Sequence, residues 1–327
     1  MLTRRDLLAG SVAGLGTAAT GLRARAQAIK RPLRIIVGFP AGGGTDVIAR
    51  ILAEHLRGLY APAVIVENKP GAAARLAIEY VKNAEPDGSV MLFTPDFPMT
   101  LYPHSFRSLN YDPLRDFTAV APAAKSMLTY NIGPAVPQSV QTLAAFVQWC
   151  RANPDKAAYA TTSAGGTPHF VGVMLAEAAG VPITPVHYRG GAPALQDVLG
   201  GHVPAGVNPI SEVLPFAKSG ALRLLAVTGA RRSSFLPDVP TMLEQGYDVV
   251  LDSWLGAFVP AKTPAETVNT LNAAIGEVAR SPAVVDSLAK VGNEPAWRTP
   301  EEFAATLKTD IARWGPVVKA SGFVAED

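Results

Sequence analysis

Arg34-Ile-Ile-Val-Gly-Phe-Pro-Ala-Gly-Gly-Gly-Thr-Asp-Val-Ile-Ala-Arg50 decides how the rest of the chain is read. Leu33 to Val37 is a short β-branched, apolar run, the pattern of a strand covered on both faces. Phe39 to Gly44 follows as a turn, in which Pro40 fixes φ and the glycines admit positive φ. Thr45 or Asp46 is placed to cap a helix whose apolar face is Val47, Ile48, Ile51, Leu52 and Leu56. A strand, a glycine turn and a helix start leave several backbone N–H groups unpaired, and these donors and the helix dipole favour an anion. The anion is not a nucleotide by this pattern. Gly42-Gly43-Gly44 lacks the G-x-G-x-x-G spacing, and no lysine lies between Lys30 and Lys69 to complete a phosphate loop.

Outward from this unit, Val64–Val66 and Val90–Thr94 read as strands, with Ala72 to Lys82 as an alanine-rich helix between them. Such a β-α-β-α-β run makes a parallel sheet, and its ligands sit beyond the carboxyl ends of the strands. The opening pattern then recurs twice. Ala157–Ala160 is a strand that runs through Thr161-Thr-Ser-Ala-Gly-Gly-Thr-Pro-His169 into a helix, with Thr167 as cap and Pro168 in its first turn. Thr184–Tyr188 is a strand that runs through Arg189-Gly-Gly-Ala-Pro193 into another. Ala205–Pro209 and Leu222–Thr228 read as further strands, Ile210–Lys218 as a helix, and Trp254–Val259 as a strand before three closing helices. If the two halves face each other, helix N-termini converge on one cleft from both sides.

The 327 residues carry 29 Lys+Arg and 27 Asp+Glu, a net +2. Residues 1–26 have the layout of an export signal: a charged start with Arg4-Arg5, a small apolar run from Leu7 to Thr20, and Ala24-Arg-Ala26 as a cleavage site. The paired arginines suggest the twin-arginine route, with the general secretory route as the alternative. Removing this segment takes away Arg4, Arg5, Arg23, Arg25 and Asp6, leaving 25 basic and 26 acidic residues, or −1. A near-neutral mature chain gives no reason to expect a nucleic-acid partner. Cys150 is the single cysteine and sits in an apolar helical stripe, where a small buried hydrophobe is expected. The five histidines show no H-x-x-x-H pair, so no metal site is expected, and no cofactor motif is present.

The ordered set of motifs resembles the Bug-type extracytoplasmic solute receptors of tripartite tricarboxylate transporters. It comprises Arg31 to Asp46, Val66-Glu-Asn-Lys-Pro-Gly-Ala72, Pro86-Asp-Gly88, Tyr111-Asp-Pro113 with Asp116-Phe117, His187-Tyr-Arg-Gly-Gly-Ala-Pro-Ala194, Leu199-Gly-Gly201, Leu225-Ala-Val227, Leu236-Pro-Asp-Val-Pro-Thr241 and Ser253-Trp254. The resemblance implies an α/β, two-lobed type II periplasmic-binding-protein-like fold with two interdomain crossings, closing like a Venus flytrap. It implies a periplasmic, non-enzymatic monomer that holds a small carboxylate on main-chain amides and hydroxyls and passes it to membrane transporter subunits. Carried over position by position, the pocket uses Phe39, Gly42, Gly43, Thr45 and Asp46 from one lobe. The other lobe gives Ser163, Ala164, Gly165, Thr167, His169, Tyr188, Gly190 and Gly191. Asn208 stands where an aspartate or similar polar residue is usual, and Phe39 and Phe97 read either as core residues or as an aromatic floor for the ligand.

The expected lobes are 29–125 plus 226–327, and 126–225. A competing reading is a periplasmic hydrolase acting on a small carboxylate ester or amide. Ser163, His169 and Asp46 supply the residue types of a triad, yet Ser163 lacks the G-x-S-x-G elbow.

Overall fold

Leu33–Val37 forms strand β1, and Leu33, Ile35, Ile36 and Val37 are all fully buried. Both faces of the strand are covered, which is why it reads as a continuous apolar run. The structure is a computed structural model and describes residues 29–325; the expected export signal lies outside those residues. The further strands are β2 (Val64–Asn68), β3 (Val90–Pro95), β4 (Phe117–Ser126), β5 (Leu128–Ile132) and β6 (Ala158–Thr161). They are followed by β7 (Thr184–His187), β8 (Ala205–Pro209), β9 (Arg223–Val227), β10 (Ser253–Pro260) and β11 (Glu294–Pro295).

These strands make two sheets. The first has the order β11-β4-β10-β3-β1-β2, and the second β7-β6-β8-β5-β9. In the first, β1 is parallel to β2 and β3, as its helical crossovers require. In the second, β6 is parallel to β7 and β8. Where the chain passes between lobes it runs antiparallel: β10 against β3 and β4, and β5 against β8 and β9. One passage is the short step from Ser126 to Leu128. The other lies between Leu251, whose N–H donates to Thr228 O, and Ser253. Ser126 and Ser253 are register partners, so the two passages run side by side. The expected return to the first lobe at residue 226 falls inside β9. Ala226 and Val227 still pair with β5, and Thr241 bridges to Val227 in the second lobe.

Two further segments tie the lobes together. Residues 97–106 form two short helices, Phe97–Thr100 and Tyr102–Ser105. Phe97, Leu101, Tyr102 and Phe106 pack into the same core as Tyr130, Tyr159 and Phe170 of the second lobe. The closing helix Pro300–Ser321 starts with a capping box from Thr299 and Glu302. Its early residues Phe303 and Leu307 pack on the first sheet, whereas Trp314 and Val318 join the core shared with the second.

Local readings are corrected at three places. The helix expected over Ala72 to Lys82 begins only at Arg75. Ala72, Ala73 and Ala74 have φ of 45°, 54° and 71°, a left-handed turn that presses Ala74 against Gly38 at the end of β1. Gly43, not Thr45 or Asp46, is the N-cap of helix Gly44–Leu56, and Gly166, not Thr167, caps helix Thr167–Ala179. Cys150 is fully buried, and burial pushes its thiol up to about 12.

Candidate functional site

Four helices begin at one cleft between the lobes: Gly44–Leu56 from the first, and Thr167–Ala179, Gly191–Leu199 and Ile210–Lys218 from the second. Each follows the carboxyl end of a strand, β1, β6, β7 and β8 respectively. The cleft is narrow, with a cavity volume of about 60 Å3. Phe39, Gly43, Thr45, Phe97, Thr167 and Gly191, six of the residues expected from sequence, line it. Phe39 and Phe97 meet edge to face with centroids 5.8 Å apart, and Phe97 also closes over Gly166. No lysine, arginine or histidine lines the cleft among the described residues.

The other expected residues stand behind or beside the wall. Gly42 supplies the positive φ of the first turn, +84°, and its N–H donates to Asp46 Oδ2 at 2.9 Å. Asp46 is buried and accepts from Arg50 and from Asn68 Nδ2. Burial opposes its ionisation most strongly, but Arg50, Gly42 and Asn68 together hold its carboxyl below the usual range. Asp46 therefore fixes the turn from within.

Ser163, Ala164, Gly165 and His169 do not line the cleft. The Ser163 hydroxyl is hydrogen-bonded to Tyr102 OH at 2.6 Å, and Ser105 Oγ and Phe323 crowd Gly165. His169 is buried among Phe170, His187 and Phe323, and its Nδ1 accepts from Gly165 N at 3.1 Å. Burial, with His187 beside it, pushes the imidazole down to about 3, so the ring is neutral. Residues 97–106 and the chain's end cover this turn. A triad is not assembled: Ser163 bonds to Tyr102, His169 to Gly165, and Asp46 lies in the other lobe with Arg50.

Tyr188 turns its hydroxyl to Asp197 at 2.5 Å. At Gly190, φ is +118° and a side chain would strike Pro40 of the opposite lobe at 2.9 Å. Asn208 is fully buried, held through its Oδ1 by Asn131 Nδ2 at 3.1 Å.

Two carboxylates, one lining the cleft and one behind its wall, were not singled out from sequence. Glu212, in the first turn of helix Ile210–Lys218, accepts from Gly44 N of the opposite lobe at 3.2 Å and from Asn208 Nδ2 at 3.0 Å. A side chain at Gly191 would collide with the same carboxylate. Burial raises its pKa, and the Asn208 and Gly44 hydrogen bonds oppose that shift. Asp96, at the end of β3, accepts from Ser253 Oγ at 2.9 Å and from Thr167 Oγ1 at 3.4 Å. Burial pushes its carboxyl up to about 7; Asp310 pushes the same way and Ser253 opposes. The sequence signal for Glu212 was an acid in the first turn of a helix, where the helix dipole favours negative charge.

The cleft is thus a ring of helix N-termini, small residues and hydroxyls, already crossed by one acidic side chain. The profile of a family described as tripartite tricarboxylate transporter family receptor matches residues 48–323. Protein BugT of Bordetella pertussis is 32% identical over 317 residues, covering 95% of this chain and 97% of its own. Among solved structures, the periplasmic binding protein BugD superposes with a TM-score of 0.85 at 29% identity, covering 91% of this chain and 100% of its own. R. palustris Rpa4515, solved with adipate, gives 0.86 at 29% identity, covering 90% and 98%. MatC from Rhodopseudomonas palustris, solved with bound malate, gives 0.81 at 28% identity, covering 88% and 99%.

Proposed function

Because the chain belongs to the tripartite tricarboxylate transporter receptor family, we propose that it captures a small carboxylic acid between its lobes and hands it to a transporter of that type or to a sensor. The observation that carries this reading is the convergence of four helix N-termini on one cleft lined by the Thr45 and Thr167 side chains. Backbone donors and helix dipoles at such a place favour carboxylate oxygens without a cationic side chain. Relatives solved with adipate and with malate support the ligand class. The side-by-side passages at Ser126–Leu128 and Leu251–Ser253 suit a hinge, and closure brings both sets of donors to one ligand. The receptor works as a periplasmic monomer, exported by the signal in residues 1–26 through the twin-arginine route.

Calorimetry with the mature protein and a panel of mono-, di- and tricarboxylates, adipate and malate among them, tests this. We expect at least one acid to bind without turnover. Thr45→Val and Thr167→Val should each weaken it by roughly one to two decades, the worth of a hydrogen bond to a charged oxygen, about 1.5–3 kcal/mol. Absence of binding across the panel, or conversion of a bound acid to product, defeats the reading. N-terminal sequencing of exported protein checks the signal, and finding Met1 there would refute it.

A further inference from the structure

Glu212 stands where a ligand's carboxylate would be expected. Its carboxylate takes the Gly44 N–H at the start of the first-lobe helix, and it lies against Gly191 at the start of a second-lobe helix. The side chain is placed there by construction. Asn208 holds it at 3.0 Å, and Asn208 is itself fully buried and oriented by Asn131. Neither Gly44 nor Gly191 leaves room for a side chain that would push the acid aside. No cation pairs with Glu212 among the described residues; the groups that bear on it are an amide and a backbone N–H.

Beside the backbone and hydroxyl donors, the cleft holds further acceptors and no cationic side chain among the described residues. Asp96 backs the Thr167 and Ser253 wall, again with no cationic partner among its hydrogen bonds. Asn293, which also lines the cleft, keeps its buried Oδ1 without a hydrogen-bond partner. An acid with a carboxylate at each end would set one of its charges beside the buried Glu212 in a narrow cleft, where like charges repel strongly. A ligand bearing a positive nitrogen would instead complete Glu212 as a charge-assisted hydrogen bond.

Resting on the carboxylate-receptor reading above, we propose that Glu212 is the recognition group for a cationic nitrogen, so that the ligand of this cleft is a carboxylic acid that also carries an ammonium. Its carboxylate faces the Thr45 and Thr167 hydroxyls at the helix starts, and its nitrogen faces Glu212 and the Asn293 amide oxygen. Glu212 is in this sense a specificity residue of the cleft. Its carboxylate accepts from Gly44 N and turns to the nitrogen when the ligand enters.

The test is calorimetric titration of the mature wild-type protein and Glu212→Gln with matched acids. Adipate is compared with 5-aminopentanoate, succinate with 3-aminopropanoate, and glutarate with L-glutamate. Wild type should bind at least one nitrogen-bearing member tenfold or more tightly than its nitrogen-free counterpart. Glu212→Gln, which keeps an oxygen for Gly44 N, should retain its melting temperature and lose or reverse that preference by tenfold or more. Preference for the nitrogen-free acids in wild type, or an unchanged ratio in Glu212→Gln, overturns the assignment of Glu212 while leaving the carboxylate receptor intact. Silence from every acid in both proteins defeats the receptor reading and this one with it.

Discussion

Two turns of this molecule are written alike and used differently. The first, Phe39 to Asp46, and the second, Thr162 to His169, each follow a buried strand, hold paired glycines, and open a helix near a hydroxyl residue. In the first, Phe39, Pro40, Gly43, Gly44 and Thr45 line the cleft. In the second, Thr162, Thr167 and Pro168 do so, while Ser163 to Gly165 between them are sealed by Tyr102, Ser105 and Phe323. A glycine turn before a helix provides donors. Whether they meet a ligand or a neighbouring side chain depends on what packs over them.

Asp96 lies beside the second turn, bonded to Thr167 and to Ser253, and the largest effect is expected there. Its folded pKa of about 7 lies above the unfolded carboxylate value, so the folded state binds the extra proton. The stability this proton gives is full below about pH 4 and is lost as pH rises through about 7. Asp96→Asn should therefore stabilise the protein at pH 8 by on the order of 4 kcal/mol relative to its effect at pH 4. Chemical denaturation at the two pH values measures this, and a pH-independent difference would show that Asp96 is ionised in the fold.

Next in size is the contrast between the glycines themselves. Gly165→Ala meets both a φ of +69° and Ser105 Oγ at 2.8 Å, so strain and crowding add to roughly 3 kcal/mol of lost stability. Gly42→Ala has φ of +84° but nothing within 4 Å, and should lose only about 1 kcal/mol. Equal losses in denaturant melts would erase the distinction between a sealed and an open turn.

Ser163→Ala should cost about 1 kcal/mol, because the buried Tyr102 hydroxyl loses its partner. Ligand affinity should stay within a factor of about three, less than 1 kcal/mol; a tenfold loss would bring Ser163 into the binding surface. The smallest effect lies beside the first turn. Ala72 is exposed with φ of 45°, so Ala72→Gly relieves left-handed strain and should stabilise by about 0.5 kcal/mol after the entropy cost of glycine. A fall in melting temperature would place the stabilisation of that turn in the alanine methyl.

Most elements were legible because their signals are local. The apolar run of Leu33–Val37, the stripe Ile48, Leu52 and Leu56, and Pro168 in the first turn of helix Thr167–Ala179 each state their own conformation. Ala72 to Ala74 misled for the opposite reason. Alanine is a strong helix former, and only contact with Gly38 and the adjoining chain sets these three left-handed. His169 misled as well, since its place beside Pro168 resembles a helix start facing a ligand, while Phe323, far along the chain, closes over it.

The sequence by itself determined the strand and helix alternation, the glycine turns at strand ends, the two-lobed α/β class and the receptor family. Those properties depend on periodicity, backbone freedom and motif order, all of which neighbours along the chain record. The tertiary structure alone decided that residues 97–106 seal the second turn, and that Glu212 crosses to Gly44, 168 positions away in the chain. A contact across that separation has no local signature. It exists only because two sheets fold toward each other and bring an acid from one helix to the unpaired N–H at the start of another.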